Sequence, residues 1–261
     1  MALSDEQKNC IQEVIKTCLR NKFKNYKPET NYMPFHHALL GKDRMALFSF
    51  IHSLNTTFGS SIFEPVTVAL SQANSNFKQT HQQFVVGNKI SELAQREIQH
   101  IINELSTGKN PNKEDEIARI RKVCQQGNMQ KLKTVKVDLY LETKNNEIHL
   151  FDLKTAKPNQ SNFKDFKRTL LEWIAIILAE RPNVTVHSYV AIPYNPYYPE
   201  PYQRWTLKGM LDDTHELKVA EEFWDYLGGT DTFNDLLHCF ELAGMVLKPE
   251  IDDYFNQFVK Q

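Results

Sequence analysis

Residues 134–154, TVKVDLYLETKNNEIHLFDLK, contain the pattern from which the fold of this chain can be inferred. From Thr134 to Leu141 apolar residues alternate with polar ones, and the alternation resumes from Glu147 to Lys154. A period of two residues is typical of β-strands that are buried on one face. Lys144-Asn145-Asn146 between the two runs has the composition of a tight turn. The stretch therefore predicts an antiparallel hairpin centred on Asn145.

A helix and a third strand follow the hairpin. Apolar residues recur at helical spacing from Phe163 to Glu180, and Pro182 stands just beyond the end of this run. Val184 to Ile192 is strongly β-prone. The order strand, strand, helix, strand predicts a mixed sheet with at least one crossover helix packed on it.

The first third of the chain and its tail are predicted to be mainly helical. The expected fold class is α/β (α+β), with a central mixed β-sheet flanked by helices. We expect a single domain, 1–261, with a mainly helical part over 1–130 and the sheet core with the C-terminal helices over 131–261. The predicted helices are 4–24, with Ser4 as its cap, Ala46–Leu54, Ile62–Leu70 after a turn at Phe58–Ser61, Ile90–Leu105 and a tail from Glu221 to Phe258.

Composition restricts the function classes only loosely. The 261 residues are 41% hydrophobic and 24% charged, which is typical of a globular protein. Because the formal net charge is −1, any nucleic-acid surface must be a local basic patch. The N-terminus has no apolar signal region and no run is long enough to span a membrane, so we expect a cytoplasmic protein with no membrane partner.

The sulfur and imidazole side chains show no metal-binding pattern in the sequence. The four cysteines are scattered, which indicates reduced thiols. His36-His37 and the remaining histidines lack ligand spacing, and the expectation is that they are structural.

Two acidic residues of the hairpin, Asp138 and Asp152, are predicted to face each other. If the hairpin is centred on Asn145, residues whose numbers sum to 290 lie opposite each other, and Asp138 with Asp152 is such a pair. Opposed Cβ atoms are about 4.5–5.5 Å apart, so two like charges there need a cation. Lys154 projects from the same face as Asp152, roughly 6–7 Å further along the strand at about 3.3 Å per residue. The alternative is a solvated strand face, but the apolar run Ile148–Phe151 before Asp152 argues against it.

This residue set is suited to phosphodiester hydrolysis. Carboxylate oxygens hold Mg²⁺ beside a phosphate, and a lysine orients the attacking water or neutralises developing charge. We therefore expect Mg²⁺ as cofactor, with Asp138, Asp152 and Lys154 catalytic and the metal held by Asp138, Asp152 and Leu153.

In this region the chain resembles the PD-(D/E)xK nuclease superfamily. The shared order is Asp138 first, then Asp152-Leu153-Lys154, then a helix and a strand. Val137 replaces the proline of the motif's name. From Val135 to the C-terminus it also resembles a small family of type II restriction endonucleases that cut GGNCC. The stretches that carry this likeness are FDLKTAKPN (151–159), KRTLLEW (167–173), AIPYNPYYPEPYQRWTLKG (191–209) and EEFWDYLGG (221–229).

The resemblance implies a homodimer that cuts both strands of double-stranded DNA at a short palindromic site, alongside a methyltransferase of the same specificity. It also implies a third acidic residue from an N-terminal helix. Glu64 is the first candidate, because a Gly/Ser turn before an apolar helix places it in the first helical turn, and Glu92 and Glu97 are the rivals. Two other functions stay open: a repair or junction nuclease, and a non-catalytic DNA-binding protein.

Two segments are candidate DNA contacts. Lys164, Lys167 and Arg168 form a basic stripe on the helix after the catalytic strand, and Lys157 lies close before it. Pro193 to Trp205 holds four prolines and four tyrosines, a rigid aromatic composition that suits either groove contact or the packing of a domain corner. The residues predicted to contact DNA in and after this second segment are Tyr198, Gln203, Arg204 and Lys208.

Overall fold

The computed structural model describes residues 3–27, 33–154, 156–157, 163–203 and 207–259. In these ranges the strands are β1 Phe77–Ser91, β2 Met129–Thr143, β3 Ile148–Leu153, β4 Val186–Ile192 and β5 Leu217–Val219. The helices are α1 Asp5–Asn25, α2 Pro34–Leu40, α3 Lys42–Thr57, α4 Glu64–Ala73, α5 Glu92–Ser106, α6 Lys113–Val123, α7 Phe163–Glu180, α8 Glu221–Gly228 and α9 Thr232–Val259.

The described strands form one mixed sheet in the order β1-β2-β3-β4-β5. β1, β2 and β3 pair antiparallel, whereas β3 with β4 and β4 with β5 pair parallel. α7 is the crossover between the parallel strands β3 and β4, and it has the bounds that the sequence predicted. The predicted mixed sheet with a crossover helix is thus confirmed.

Helices cover both faces of the sheet. On one face α5, α6 and α7 pack against the strands through apolar residues that include Ile98, Leu150 and Ile174. On the other face α1, α4, α8 and α9 pack against residues such as Leu139 and Phe151. Because β3 is covered on both sides, its residues are nearly all buried. A charged residue at its end therefore stands in an apolar setting.

The N-terminal helix begins where its cap predicts. Ser4 Oγ accepts a hydrogen bond from the Gln7 N–H, and Gln7 Oε1 accepts one from the Ser4 N–H, which is a complete capping box. Ile11 and Ile15 on this helix are buried. α1 packs along α9, so the first and last helices of the described chain lie side by side.

The sequence patterns did not reveal β1, and they predicted one turn wrongly. Among the described strands β1 pairs with β2 alone, and its mixed, largely exposed sequence hides the alternation that marked β2. The predicted helix from Ile90 starts at Glu92, because Ser91 ends the strand and its Oγ caps the helix at the Ala94 N–H. Residues 58–63, predicted to contain a turn, are a π-helical segment that joins α3 to α4 without a break.

No helix in the described part of the chain is long and apolar enough to cross a membrane.

Candidate active site

The hairpin register brings the two predicted aspartates together. Leu139 pairs with Phe151 and Tyr140 with Leu150, so paired residue numbers sum to 290 as predicted. One step further along the strands, Asp138 stands opposite Asp152. The carboxylate Oδ2 of Asp138 accepts a hydrogen bond of 2.8 Å from the backbone N–H of Leu153. This bond holds the Asp138 carboxylate beside the end of β3.

Asp152 and Lys154 form an ion pair at this strand end. Lys154 Nζ lies 2.6 Å from Asp152 Oδ1 and 5.1 Å from the centroid of the Phe166 ring on α7. Asp152 is buried, and burial raises its pKa to about 6 although the Lys154 ammonium acts in the opposite direction and Asp138 adds to the rise. A buried carboxylate with a neighbouring carboxylate and an ammonium is a typical arrangement for binding a cation and a phosphate.

Glu64 joins the same cluster through glutamine side chains of β1. It is the first residue of α4 and is buried, in the first helical turn as the sequence predicted. Its Oε2 accepts hydrogen bonds from Gln82 Nε2 at 2.8 Å and from Gln83 Nε2 at 3.0 Å. Gln83 Nε2 also lies 3.1 Å from Asp138 Oδ1, so one amide group bridges the two carboxylates.

Gln83 is a site residue that the sequence patterns did not reveal. It lies between the pairs Gln82 with Leu139 and Phe84 with Val137, which places it opposite Asp138. Its backbone φ is +49°, a left-handed conformation that costs about 1 kcal/mol or more in a residue other than glycine. No local sequence pattern indicates Gln83, because the sequence does not predict the strand β1 on which it lies.

The rival acidic residues lie elsewhere. Glu92 pairs with Arg96 on the same helix, and Glu97 Oε1 lies 2.6 Å from Arg119 Nε. Both carboxylates are therefore bound to guanidinium groups of α5 and α6. Glu64 is the candidate that the structure places beside Asp138.

The predicted basic stripe on α7 divides into exposed and buried parts. Lys164 is exposed, and Arg168 is half-buried with its Nη2 2.6 Å from Gln99 Oε1. Lys157, before the helix, is exposed, and its Nζ lies 5.5 Å from the centroid of the Tyr197 ring. Neither Lys157 nor Lys164 forms an ion pair with another described residue, and both present positive charge in the part of the chain that follows the end of β3.

The prediction that Lys167 contacts DNA is wrong, because the side chain is buried. Its side chain is 0% exposed, and its Nζ lies 2.5 Å from both Glu116 and Glu216. Lys113 also pairs with Glu216, so two lysines and two glutamates form a buried ion cluster. The i, i+3 spacing cannot distinguish a solvated lysine from one that a neighbouring helix covers, and α6 covers this one. A phosphate contact by Lys167 is therefore excluded in this conformation.

The proline-rich segment is fixed at its base and exposed at its tip. The Pro193 carbonyl accepts a hydrogen bond of 2.8 Å from Trp224 Nε1. Tyr198 is 79% exposed and precedes Pro199 through a cis peptide bond. Gln203 and Lys208 are exposed as well, whereas Arg204 lies outside the described residues.

The mixed sheet, its crossover helix and the helices on both faces have the form of a restriction-endonuclease-like core. The chain belongs to the family described as "Type II restriction endonuclease, HinfI", whose family model matches residues 3–244. The predicted likeness to type II restriction endonucleases is thereby confirmed.

Named relatives carry the same description. The chain is 28% identical over 251 residues to the type II restriction enzyme MjaII of Methanocaldococcus jannaschii, with 86% of this chain and 65% of the relative covered. It is 22% identical to HgiCII and 24% identical to HgiEI, both type II restriction enzymes of Herpetosiphon aurantiacus, with 84% of this chain covered in each case. Those alignments cover 80% and 79% of the two relatives. The chain thus spans just under two thirds of the length of MjaII.

Proposed function

We propose that this protein is a type II restriction endonuclease that hydrolyses phosphodiester bonds of double-stranded DNA at a short palindromic site, with Mg²⁺ as cofactor. The observation that supports this most is the group Glu64, Asp138, Asp152 and Lys154, gathered at one strand end in a chain of this family. The relatives' names agree with the reaction class.

The donor set fits a hard divalent cation. Asp138 and Asp152 offer carboxylate oxygens on neighbouring strands, and Leu153, whose backbone N–H donates to Asp138 Oδ2, is the third residue that we propose for the metal. Mg²⁺ prefers such oxygen ligands. When bound, Mg²⁺ would stabilise charge on the scissile phosphate and favour deprotonation of the attacking water.

The protein's own residues orient the reactants. Lys154 is held between the Asp152 carboxylate and the Phe166 ring, so its ammonium has a defined position beside the two aspartates. There it is placed to orient the attacking water or to neutralise charge on the phosphate. Gln83 keeps the Glu64 and Asp138 carboxylates at a fixed separation.

DNA would be held by basic and polar side chains of α7, of the residues just before it and of the proline-rich segment. Lys157, Lys164 and Arg168 are the phosphate contacts that we propose next to the strand end. Tyr198, Gln203, Arg204 and Lys208 are proposed for base or backbone contact from the proline-rich segment. We further propose a homodimer, because one active site per strand suits a two-fold symmetric site. GGNCC is the proposed recognition site, with a DNA methyltransferase of that specificity as functional partner.

Cleavage of a sequenced plasmid tests the proposal. In Mg²⁺ we expect discrete fragments whose mapped ends fall in GGNCC, and no fragments in EDTA or on DNA methylated at that site. Asp138→Ala and Lys154→Ala should each lower the cleavage rate at least about 10³-fold, since each removes a group that acts on the transition state.

Matched controls separate the site from general damage. Asp165→Ala and Lys144→Ala remove an exposed carboxylate and an exposed ammonium elsewhere, and both should cut like the wild type. Circular dichroism should show the same fold for all four variants. Cleavage only at DNA ends or branches would indicate a structure-specific nuclease, and DNA binding without cleavage in any divalent metal would indicate a non-catalytic protein. Unchanged cleavage by both site variants would refute the site.

A further inference from the structure

A second group of metal-ligand side chains lies at the opposite end of β3. Glu147 directly precedes the strand, His149 is its second residue, and His187 pairs with His149 on the parallel neighbour β4. One ligand atom from each of the three side chains lies within 4.8 Å of the other two. His187 is far from the other two residues in the sequence, and only the parallel pairing of β3 with β4 brings the three together.

His149 has an unusual environment within this group. Its residue is only 6% exposed, and neither Nδ1 nor Nε2 has a hydrogen-bond partner among the described residues. Its Nε2 lies 3.7 Å from Glu147 Oε2, which is beyond hydrogen-bond distance, and its ring stacks on that of His187 with centroids 4.8 Å apart. A buried imidazole whose two nitrogens both lack partners is rare, because desolvating them without compensation is costly.

We propose that Glu147, His149 and His187 bind one transition-metal ion of the Zn²⁺ class. Two imidazoles and one carboxylate form a nitrogen-rich set that suits Zn²⁺ and its neighbours, not Mg²⁺. Bonds of about 2.0–2.2 Å in a tetrahedron place neighbouring ligand atoms about 3.3–3.6 Å apart, so small side-chain adjustments are enough. Glu147 is half-exposed, which leaves a fourth position open to solvent.

This site is separate from the nuclease centre. His149 precedes Asp152 by three residues, so the two side chains point to opposite faces of the sheet and lie about 10 Å apart along the strand. An ion there would tie the start of β3 and its preceding turn to β4. Its role would be to fix these strands, and the proposal does not depend on the proposed cleavage of DNA.

One nearby charge acts against the metal. Lys218 Nζ on β5 lies 5.1 Å from the centroid of the Tyr189 ring and 4.9 Å from that of Tyr226, and both rings lie next to His149. Burial lowers the pKa values of His149 and His187, and the positive charge of Lys218 lowers them further. The same charge repels a metal cation. Lys218→Met should therefore bind the metal more tightly than the wild type.

Metal binding by the full-length protein tests the proposal. The chain is stripped with EDTA and titrated with Co²⁺, whose visible absorption reports tetrahedral nitrogen and oxygen ligands, and Zn²⁺ content is measured after gel filtration. With excess Mg²⁺ present to occupy the proposed nuclease centre, we expect one Co²⁺ ion per chain, and Zn²⁺ should displace it. His187→Gln and Glu147→Gln should each weaken binding at least about 100-fold, more than the loss of an outer-shell partner does.

Two matched variants make the outcome specific. His238→Gln removes an exposed histidine on α9, and Asp138→Asn alters the nuclease centre, and both should keep the Co²⁺ spectrum. Less than about 0.2 ion per chain, on the order of a trace contaminant, would overturn the proposal. So would a spectrum that survives His187→Gln, one lost in Asp138→Asn, or weaker binding by Lys218→Met.

Discussion

Replacing Asp152 with asparagine should stabilise the metal-free protein while abolishing its cleavage of DNA. Burial raises the pKa of Asp152 from its usual 3.8 to about 6, even with the Lys154 ammonium 2.6 Å away. A rise of roughly two pKa units corresponds to about 3 kcal/mol of unfavourable free energy for the charged carboxylate in the fold. The asparagine amide carries no charge at any pH and removes this cost. Lys154 loses its partner but is 29% exposed and can turn to solvent.

The sign of the pH dependence follows from the direction of the shift. A carboxyl group whose pKa is higher in the folded state favours folding when protonated, so the wild type loses stability as pH rises from about 4 to about 6. Above about pH 7 the full cost is present. The stability advantage of Asp152→Asn should thus approach about 3 kcal/mol near pH 8 and shrink toward zero near pH 4.

Urea unfolding followed by tryptophan fluorescence in EDTA measures this difference at both pH values. Mg²⁺ should then stabilise the wild type and leave the variant unchanged, which narrows the gap at the higher pH. Asp165→Asn, at an exposed position on α7, is the control and should change stability little at either pH. A variant less stable than the wild type at the higher pH, or an advantage equal at both pH values, would show that burial of this charge does not destabilise the fold.

Three further changes test other parts of the structure. Gln83→Leu removes the amide that bridges the Glu64 and Asp138 carboxylates and should lower the cleavage rate about 10- to 100-fold. The urea unfolding midpoint checks that the variant is folded. An unchanged cleavage rate would exclude a positioning role for Gln83. Lys167→Met removes the cation that pairs with the buried Glu116, while Glu216 keeps its pair with Lys113, and should cost about 3–5 kcal/mol in urea unfolding. Lys164→Met, at an exposed position, should change stability by less than about 0.5 kcal/mol and weaken DNA binding. Equal unfolding midpoints for the two variants would show that the ion cluster is not structural. Gly87→Ala should lower the melting temperature, because a Cβ there would meet Ile176 at 2.7 Å and the φ of +144° disfavours a side chain; an unchanged melting temperature would contradict this.

Local sequence patterns are enough to specify the centre of the fold. The alternation in 134–154, the turn at Asn145 and the apolar spacing of α7 are local patterns, and each corresponds to an element with nearly the predicted bounds. Because a hairpin's register follows from its turn, the pairing of Asp138 with Asp152 could also be derived from the sequence. Glu64 could be proposed because a helix start has a local signature.

Contacts between elements that are distant in the chain depend on the tertiary structure. β1 has no visible alternation, since an edge strand has little apolar surface to bury, so Gln83 had no signal. Lys167 resembled a surface cation because helical spacing reports a face and not what covers it, and α6 covers that face. The histidines lacked ligand spacing, yet the parallel pairing of β3 with β4 places His149 and His187 side by side, because contacts between parallel strands join residues far apart in the chain.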